Sequence, residues 1–301
     1  MKKILLWLGI AAVLLANEDI ILFSTTASVT PQKIEETFHK AGYNVQQNRD
    51  MNGPFLKQFK QSDFTIYNLM TIYYPKIAMA MVLKDPDSGI FAPYSVVIYK
   101  KKGSHKSYVG VLSAKAKAKI LGPKAVKKLL KEQEALDIAT IKKALPKAQR
   151  EELPYQPQKV KEPLLSKYSF EVDPEEALDT KEEVEMVIED GLKPIGFVMA
   201  NFNDFAYDLK EAGIKDFIFY DTYSLCKLKV IYTVARIRPE AGVFAPCTLA
   251  IYQKKGDDHM HIVFPNIYNW IATLNLKDKK AIAELKKAQK DMEAVIENAL
   301  P

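Results

Sequence analysis

A stretch running from Asp63 to Gly103 occurs a second time from Asp216 to Gly256, in register and without a gap. Adding 153 to a residue number in the first copy gives the equivalent residue in the second. Both copies keep an Asp-Phe start, a Pro-x-x-Gly turn, a Phe-Ala-Pro step and a Lys-Lys-Gly sequence. A repeat of this length predicts two copies of one structural unit.

Length and composition agree with two globular units. At 301 residues the chain is long enough for two domains of ordinary size, each with its own core. Hydrophobic residues make up 48% and charged residues 27%, which is typical of a folded protein. The net charge of +6 comes mostly from lysines spread along the chain, so charge alone does not indicate nucleic-acid binding.

The first sixteen residues have the pattern of a secretory signal peptide. Two lysines precede an apolar run from Ile4 to Ala16, and polar residues follow. As a helix this run spans roughly 20 Å, short of the roughly 30 Å of a bilayer core. We therefore predict cleavage after Ala16 and a periplasmic location. Two alternatives are an uncleaved anchor and cleavage after Ala27, which would remove an apolar strand at 20–23.

The order of predicted elements is the same in both units. Each reads strand, helix, strand, short helix, strand, helix, a hairpin of two strands, and terminal helices. This order predicts an α+β fold with two tandem two-layer domains. Each is a mainly antiparallel sheet with helices on one face, and the two are related by a pseudo-two-fold internal repeat. Among the predicted elements are helices at 75–84, 124–145 and 228–237 and buried strands at 90–99 and 243–252.

The Ala-Leu-Pro endings and a proline-rich segment indicate the domain boundaries. Both units end in Ala-Leu-Pro, and the segment between them holds three prolines among charged residues and glutamines. We predict a signal peptide at 1–16, a first repeat domain at 17–146, a linker at 147–164 and a second repeat domain at 165–301.

The motifs of the second copy resemble a known family. Pro239-Glu240-Ala241-Gly242 is followed by Phe244-Ala245-Pro246-Cys247, and Cys226 lies thirteen residues before Pro239. This arrangement is similar to the family called domain of unknown function 302. The resemblance implies a compact α+β fold that can pair with itself, and it implies no established reaction. The first copy has Tyr73 and Tyr94 at the two cysteine positions, so we expect the copies to differ in function.

The two cysteines allow three interpretations. Cys226 comes just before the repeated helix and Cys247 begins the strand after it, so packing could bring them together. In an exported protein an even count favours a disulfide, stabilising by roughly 3 kcal/mol for a loop of about twenty residues. The alternatives are two unpaired core cysteines, and a redox or metal-binding thiol pair.

His259-Met260-His261 is the one histidine cluster of the sequence. Residues two apart in a strand point to the same face, so both imidazoles could hold a metal ion with Asp257 or Asp258. The alternative is a solvated hairpin tip.

Further binding surfaces are suggested by composition. Tyrosines of the repeats, Tyr67, Tyr73, Tyr94 and Tyr220 among them, could line a ligand pocket, although most alternate as a strand core would. The segment 114–150 is rich in lysine and could contact an anionic membrane surface, face the acidic helix of the second unit, or simply be solvated.

The sequence contains no motif of an established catalytic type, such as Gly-x-Ser-x-Gly, His-Glu-x-x-His, a phosphate-binding glycine loop or a dinucleotide fingerprint. We expect an exported, non-catalytic module that binds an unknown small molecule or protein, and predict no cofactor. The alternative is a thiol-redox or metal-handling protein that uses Cys226 and Cys247.

Overall fold

The computed structural model describes residues 17–123 and 126–301. The predicted signal peptide at 1–16 lies outside the described residues, and its export function stays a prediction. Lys124 and Ala125, at the predicted start of a terminal helix, also lie outside them. Every helix in the described ranges is too short or too polar to cross a membrane.

The first repeat contains six strands, five α-helices and one 3-10 helix within the described residues. They are β1 (Ile20–Thr25), α1 (Pro31–Lys40), β2 (Asn44–Asp50), α2 (Asn52–Phe59), β3 (Phe64–Tyr73), α3 (Pro75–Lys84), the first 3-10 helix (Pro86–Phe91), β4 (Tyr94–Lys101), β5 (Ser107–Leu112), α4 (Ala114–Leu121), α5 (Lys127–Ala144) and β6 (Gln149–Glu151). The helix starts have local causes. At α1, for example, Thr30 accepts a hydrogen bond from the Lys33 backbone N–H and Pro31 occupies the first helical position.

The second repeat follows the same order. Its elements are β7 (Leu165–Glu171), α6 (Ala177–Leu192), β8 (Phe197–Asp204), α7 (Phe205–Glu211), β9 (Phe217–Lys227), α8 (Leu228–Ala235), the second 3-10 helix (Pro239–Phe244), β10 (Cys247–Lys254), β11 (His259–Pro265), α9 (Tyr268–Thr273) and α10 (Lys279–Ala299).

The two sheets share one topology. The first has the order β2-β3-β4-β5-β1-β6 and the second β8-β9-β10-β11-β7, so β6 is the one strand added at an edge. The strand pairings in both are antiparallel. The predicted α+β fold with two tandem repeats is confirmed.

Two predicted strands begin later than expected. Residues 90–91 and 243–244 belong to the 3-10 helices, and the cis peptide bonds Ala92-Pro93 and Ala245-Pro246 follow them. Proline has no backbone N–H to donate to a ladder, so regular pairing starts only after it, at Tyr94 and Cys247.

The predicted linker at 147–164 is partly ordered. Its residues Gln149–Glu151 form β6, which pairs with β1 and extends the first sheet. Farther along, the Gln158 backbone N–H donates to the Ala272 carbonyl oxygen at 2.9 Å. The segment therefore packs on both repeats, which its proline and charge content does not indicate.

Each sheet has one face toward its own helices and one toward the other repeat. In β9, Asp221 forms an ion pair with Lys181 of α6 at 2.5 Å, whereas the neighbouring Thr222 hydroxyl donates to the Ala92 carbonyl oxygen of the first repeat. Side chains alternate between the faces of a strand, so adjacent residues serve different contacts. The buried apolar side chains of both repeats form one continuous cluster.

Reciprocal hydrogen bonds join the repeats about the pseudo-two-fold axis. Tyr67 donates to the Pro239 carbonyl oxygen at 2.9 Å, and its equivalent Tyr220 donates to that of Pro86. Ser95 and Thr248, also equivalent, donate to the carbonyl oxygens of Pro246 and Pro93, at 2.9 and 2.7 Å. The repeated Pro-x-x-Gly and Ala-Pro segments are thus parts of the contact between the repeats.

Candidate functional site

A cleft of about 280 Å³ opens between the two repeats. The first repeat contributes residues of β2, α2 and β3, and the second contributes residues of β8, β9 and the start of α8. Its walls are mostly apolar, and they include Met51, Leu69, Val198, Leu228 and Pro246.

The repeats differ at one buried position beside the cleft. Cys226 lines the cleft on the inter-repeat face of β9, and Tyr73 is its equivalent on β3. On that side the Tyr73 ring fills the corresponding space, packs against Phe205 at 5.8 Å between ring centroids, and donates to Asp208 at 2.6 Å. A small thiol on one side and a phenol on the other therefore leave one of two pseudo-symmetric spaces open.

The polar side chains that line the cleft are those of Gln47, Arg49 and Gln58, and two of them have donors without a protein acceptor in the described ranges. The Gln47 side-chain Nε2 is buried and has no hydrogen-bond partner among the described residues. The exposed Arg49 guanidinium makes no hydrogen bond or ion pair within the described part of the chain. Buried donors normally have a partner, so this arrangement is suited to an acceptor that enters from outside.

The two cysteines are free thiols on opposite faces of their sheet. Cys247 pairs directly with Leu225, so its side chain shares the Leu225 face, toward the helices. Cys226, one residue farther along β9, points to the inter-repeat face. Burial raises the pKa of Cys226 to about 12, with a further contribution from Cys247, and raises that of Cys247 to about 11. Of the three interpretations of the cysteines, the structure has the two unpaired thiols, with Cys226 buried and Cys247 partly buried.

We expect both thiols to react slowly in the native protein. At pH 8 their raised pKa values leave so little thiolate that a disulfide reagent should react at least about 100-fold more slowly than with a free cysteine. The measurement is the rate of thiol release with and without guanidinium chloride. Rapid reaction of either native cysteine would contradict the buried, protonated state.

The four tyrosines predicted for a pocket do not line the cleft. Tyr67 and Tyr220 are fully buried and bond the opposite repeat, and Tyr73 fills the closed space described above. Tyr94 donates to Asp137 of α5 at 2.5 Å. The hydroxyl of each ring has a protein partner, and contact of these tyrosines with a ligand stays a prediction.

A buried polar cluster lies on the helix side of the first sheet. Tyr43, Tyr94 and Gln133 all donate to Asp137 Oδ1, at 2.8, 2.5 and 3.0 Å, and the Lys117 ammonium lies 3.8 Å from Oδ2. Lys117 is fully buried and sits 3.6 Å from the centroid of the Tyr94 ring. Burial lowers the pKa of Lys117, and Asp137 partly offsets that effect.

The second repeat replaces this cluster by apolar groups. Cys247 and Trp270 are equivalent to Tyr94 and Lys117, and together with Met292 they line a small cavity of about 40 Å³. The sequence does not distinguish Lys117 from the many other lysines at 114–150. Its buried position on the inner face of α4 does.

Other lysines of this segment are also engaged. Lys115 pairs with Glu18 at 2.5 Å and Lys119 with Asp19 at 2.6 Å. The contact of 114–150 with a membrane surface stays a prediction.

The predicted histidine pair lies with acidic residues at the β10–β11 hairpin. His259 Nδ1 is 2.6 Å from Asp258 Oδ1, and His261 Nε2 is 3.0 Å from Asp257 Oδ2. Oxygen and nitrogen atoms of Asp257, Asp258 and His259 lie within 4.8 Å of one another. His261 contacts this group through Asp257, and metal binding by the two histidines stays a prediction.

Comparison with known proteins identifies the family. The model of the family described as domain of unknown function DUF302 matches residues 23–146 and again 175–299. This chain belongs to the DUF302 family. A crystal structure of an uncharacterized DUF302 protein from Bacillus stearothermophilus is similar to it, with 19% identity and a TM-score of 0.38, over 46% of this chain and 98% of that one. No curated protein matches the chain significantly.

The family match fixes the tandem arrangement of this DUF302 chain, and the functional residues must be found from its own geometry. Of the residues that shape the cleft, the sequence comparison of the two copies singled out only Cys226. Gln47 and Arg49 carry no motif, and they lie on β2, outside the stretch of closest identity.

Proposed function

We propose that this DUF302 protein is a binding module whose inter-repeat cleft takes a small, largely apolar molecule bearing an anionic or other hydrogen-bond acceptor group. The unpartnered donors of Gln47 and Arg49 beside apolar walls carry the proposal. Such a combination of apolar lining and few oriented polar groups is typical of small-molecule sites. The periplasm is the proposed location, on the basis of the pattern at 1–16.

The charge in the cleft favours an acid as the ligand. Arg49 can present two N–H groups to a carboxylate in a fixed geometry, and Gln47 adds a neutral donor deeper in the wall. The volume of about 280 Å³ suits a medium-chain or aromatic acid.

Thiol chemistry is less well supported than binding. The Cys226 and Cys247 side chains point to opposite faces of the sheet, and burial holds both pKa values above the range of reactive cysteines. In the cleft, the importance of Cys226 lies in its small size.

Substitutions at one position test this proposal. Octanoate is the probe, and octanol, which lacks the charge, is the comparison; binding is measured by calorimetry. We expect Cys226→Tyr to abolish octanoate binding by filling the cleft, and Cys226→Ala to retain it. Arg49→Ala should weaken octanoate binding about 10-fold or more and leave octanol binding nearly unchanged.

The matched pair of variants separates shape from chemistry. If Cys226→Ala abolished binding as fully as Cys226→Tyr, the thiol itself would be required and the proposal would be wrong. If neither variant nor Arg49→Ala altered octanoate binding, the ligand would lie outside the cleft. The melting temperature without ligand shows whether each variant is folded.

A further inference from the structure

We propose that the β10–β11 hairpin of the second repeat binds a divalent transition-metal ion such as Zn²⁺ through His259, His261 and Asp257, with Asp258 beside them. This site is separate from the cleft, because its residues lie at the opposite end of β10 from Cys247 and Pro246. No step of the argument depends on the cleft having a ligand.

The donor atoms have spacings close to those of a coordination sphere. Ligands at 2.0–2.2 Å from a tetrahedral zinc ion lie about 3.4 Å from one another. The two oxygens of Asp257 reach toward both imidazoles, with Oδ1 at 3.9 Å from His259 Nδ1 and Oδ2 at 3.0 Å from His261 Nε2. Asp257, Asp258 and His259 already have donor atoms within 4.8 Å of one another, and His261 would join the same ion by moving with the Asp257 carboxylate that it contacts.

The backbone of the β10–β11 hairpin positions the side chains of the two histidines and of Asp257. His259 and His261 are two apart in β11, so both project from one face, and their ring centroids are 6.4 Å apart. The Asp257 side chain also accepts the His259 backbone N–H at 3.1 Å, which fixes its carboxylate at the tip.

A further carboxylate faces the same region. Glu171 of β7 pairs directly with His259 in the strand register, so its side chain lies on the His259 face. Asp258 Oδ1 is 2.6 Å from His259 Nδ1. The negative charge of these groups favours a cation over a neutral ligand.

His261 is held in position by residues behind it. Its ring stacks on Tyr252 with centroids 4.9 Å apart, and the Tyr252 hydroxyl donates to Asp87 Oδ1 at 2.8 Å. Asp87 belongs to the first 3-10 helix, so the contact between the repeats supports the histidine. Groups that orient a ligand in this way normally strengthen metal binding.

The set of donors selects the type of metal. Imidazole together with carboxylate suits Zn²⁺, Cu²⁺ and Ni²⁺, whereas Mg²⁺ and Ca²⁺ prefer sites made of oxygen alone. The side chains of His259 and His261 are 43% and 27% exposed, so an ion has direct access from solvent.

Calorimetric titration of untagged protein with Zn²⁺ tests the inference. We expect one ion per chain, affinity at least about 10-fold weaker in either His259→Ala or His261→Ala, and no binding in the double variant. His105→Ala, in the corresponding hairpin of the first repeat, is the matched control and should bind as the unaltered protein does. Mg²⁺ should give no comparable binding.

Two results of the Zn²⁺ titration would overturn the inference. Absence of Zn²⁺ binding would leave a solvated hairpin tip and overturn the inference, as would equal binding by the double variant. Unchanged melting temperatures of the metal-free variants would show that the loss of binding is local, and both side chains are partly exposed. Octanoate binding to the double variant should be unaffected, so failure here is distinguishable from failure of the cleft proposal.

Discussion

Replacing Asp137 by alanine should lower the free energy of unfolding by about 3–5 kcal/mol, the largest effect expected of any substitution considered for this protein. The change leaves the Lys117 ammonium buried without a counter-charge, and it removes the acceptor for Tyr43, Tyr94 and Gln133. Urea denaturation followed by circular dichroism measures the loss.

A double variant distinguishes the loss of charge balance from the loss of packing. Lys117→Met with Asp137→Leu removes both charges and keeps apolar volume, so its stability should lie much nearer that of the original protein than Asp137→Ala does. In the second repeat Trp270 stands at the position of Lys117 and lines a small cavity with Met292, so the fold accepts apolar groups at this place. A double variant as unstable as the single one would mean that the lost hydrogen bonds and packing around Asp137, and not the unbalanced charge of Lys117, carry the effect.

The fold could be predicted from the repeated sequence because the residues that start and end its helices and strands act locally. The sequence indicated α3 at its observed bounds, since a proline marks its start. It placed the beginnings of β4 and β10 too early, because the apolar residues before Pro93 and Pro246 suit a buried 3-10 helix as well as a buried strand. Apolar composition reports burial, and does not distinguish between two buried conformations.

The candidate cleft could be predicted only in part. Comparison of the copies singled out the position of Tyr73 and Cys226, and in the structure Cys226 lines the cleft whereas Tyr73 packs against Phe205. The sequence left the state of the two cysteines open because sequence distance does not give the strand register, and one residue of register changes the face of the sheet to which a side chain points. Gln47 and Arg49 reach the cleft only through the approach of β2 to the other repeat, which is tertiary geometry without a local pattern.

The glycines of the two Pro-x-x-Gly segments should be the positions at which the contact between the repeats is most sensitive. A Cβ atom on Gly89 would lie 2.0 Å from the Tyr220 hydroxyl oxygen, and one on Gly242 would lie 2.4 Å from Val97 Cγ2 and 2.8 Å from Leu69 Cδ2. Each contact reaches from one repeat into the other. The side chains met are buried, so they have little room to move.

Gly89→Ala and Gly242→Ala are therefore each expected to lower the free energy of unfolding by about 1–3 kcal/mol. Gly89→Ala should have the larger effect, because displacing the Tyr220 ring also breaks its hydrogen bond to the Pro86 carbonyl oxygen. Urea unfolding measures both, and separation into two transitions would show that the repeats have been uncoupled.

Gly53→Ala is the matched control. Gly53 lies in α2, and a Cβ there meets no atom within 4 Å. Alanine also has the higher helix propensity, so this variant should be as stable as the original protein or up to about 1 kcal/mol more stable. If Gly89→Ala and Gly242→Ala behaved like Gly53→Ala, the close packing of the two segments between the repeats would be wrong. Destabilisation at these two positions alone would instead show that the glycine of the repeated motif is required by the contact between the copies.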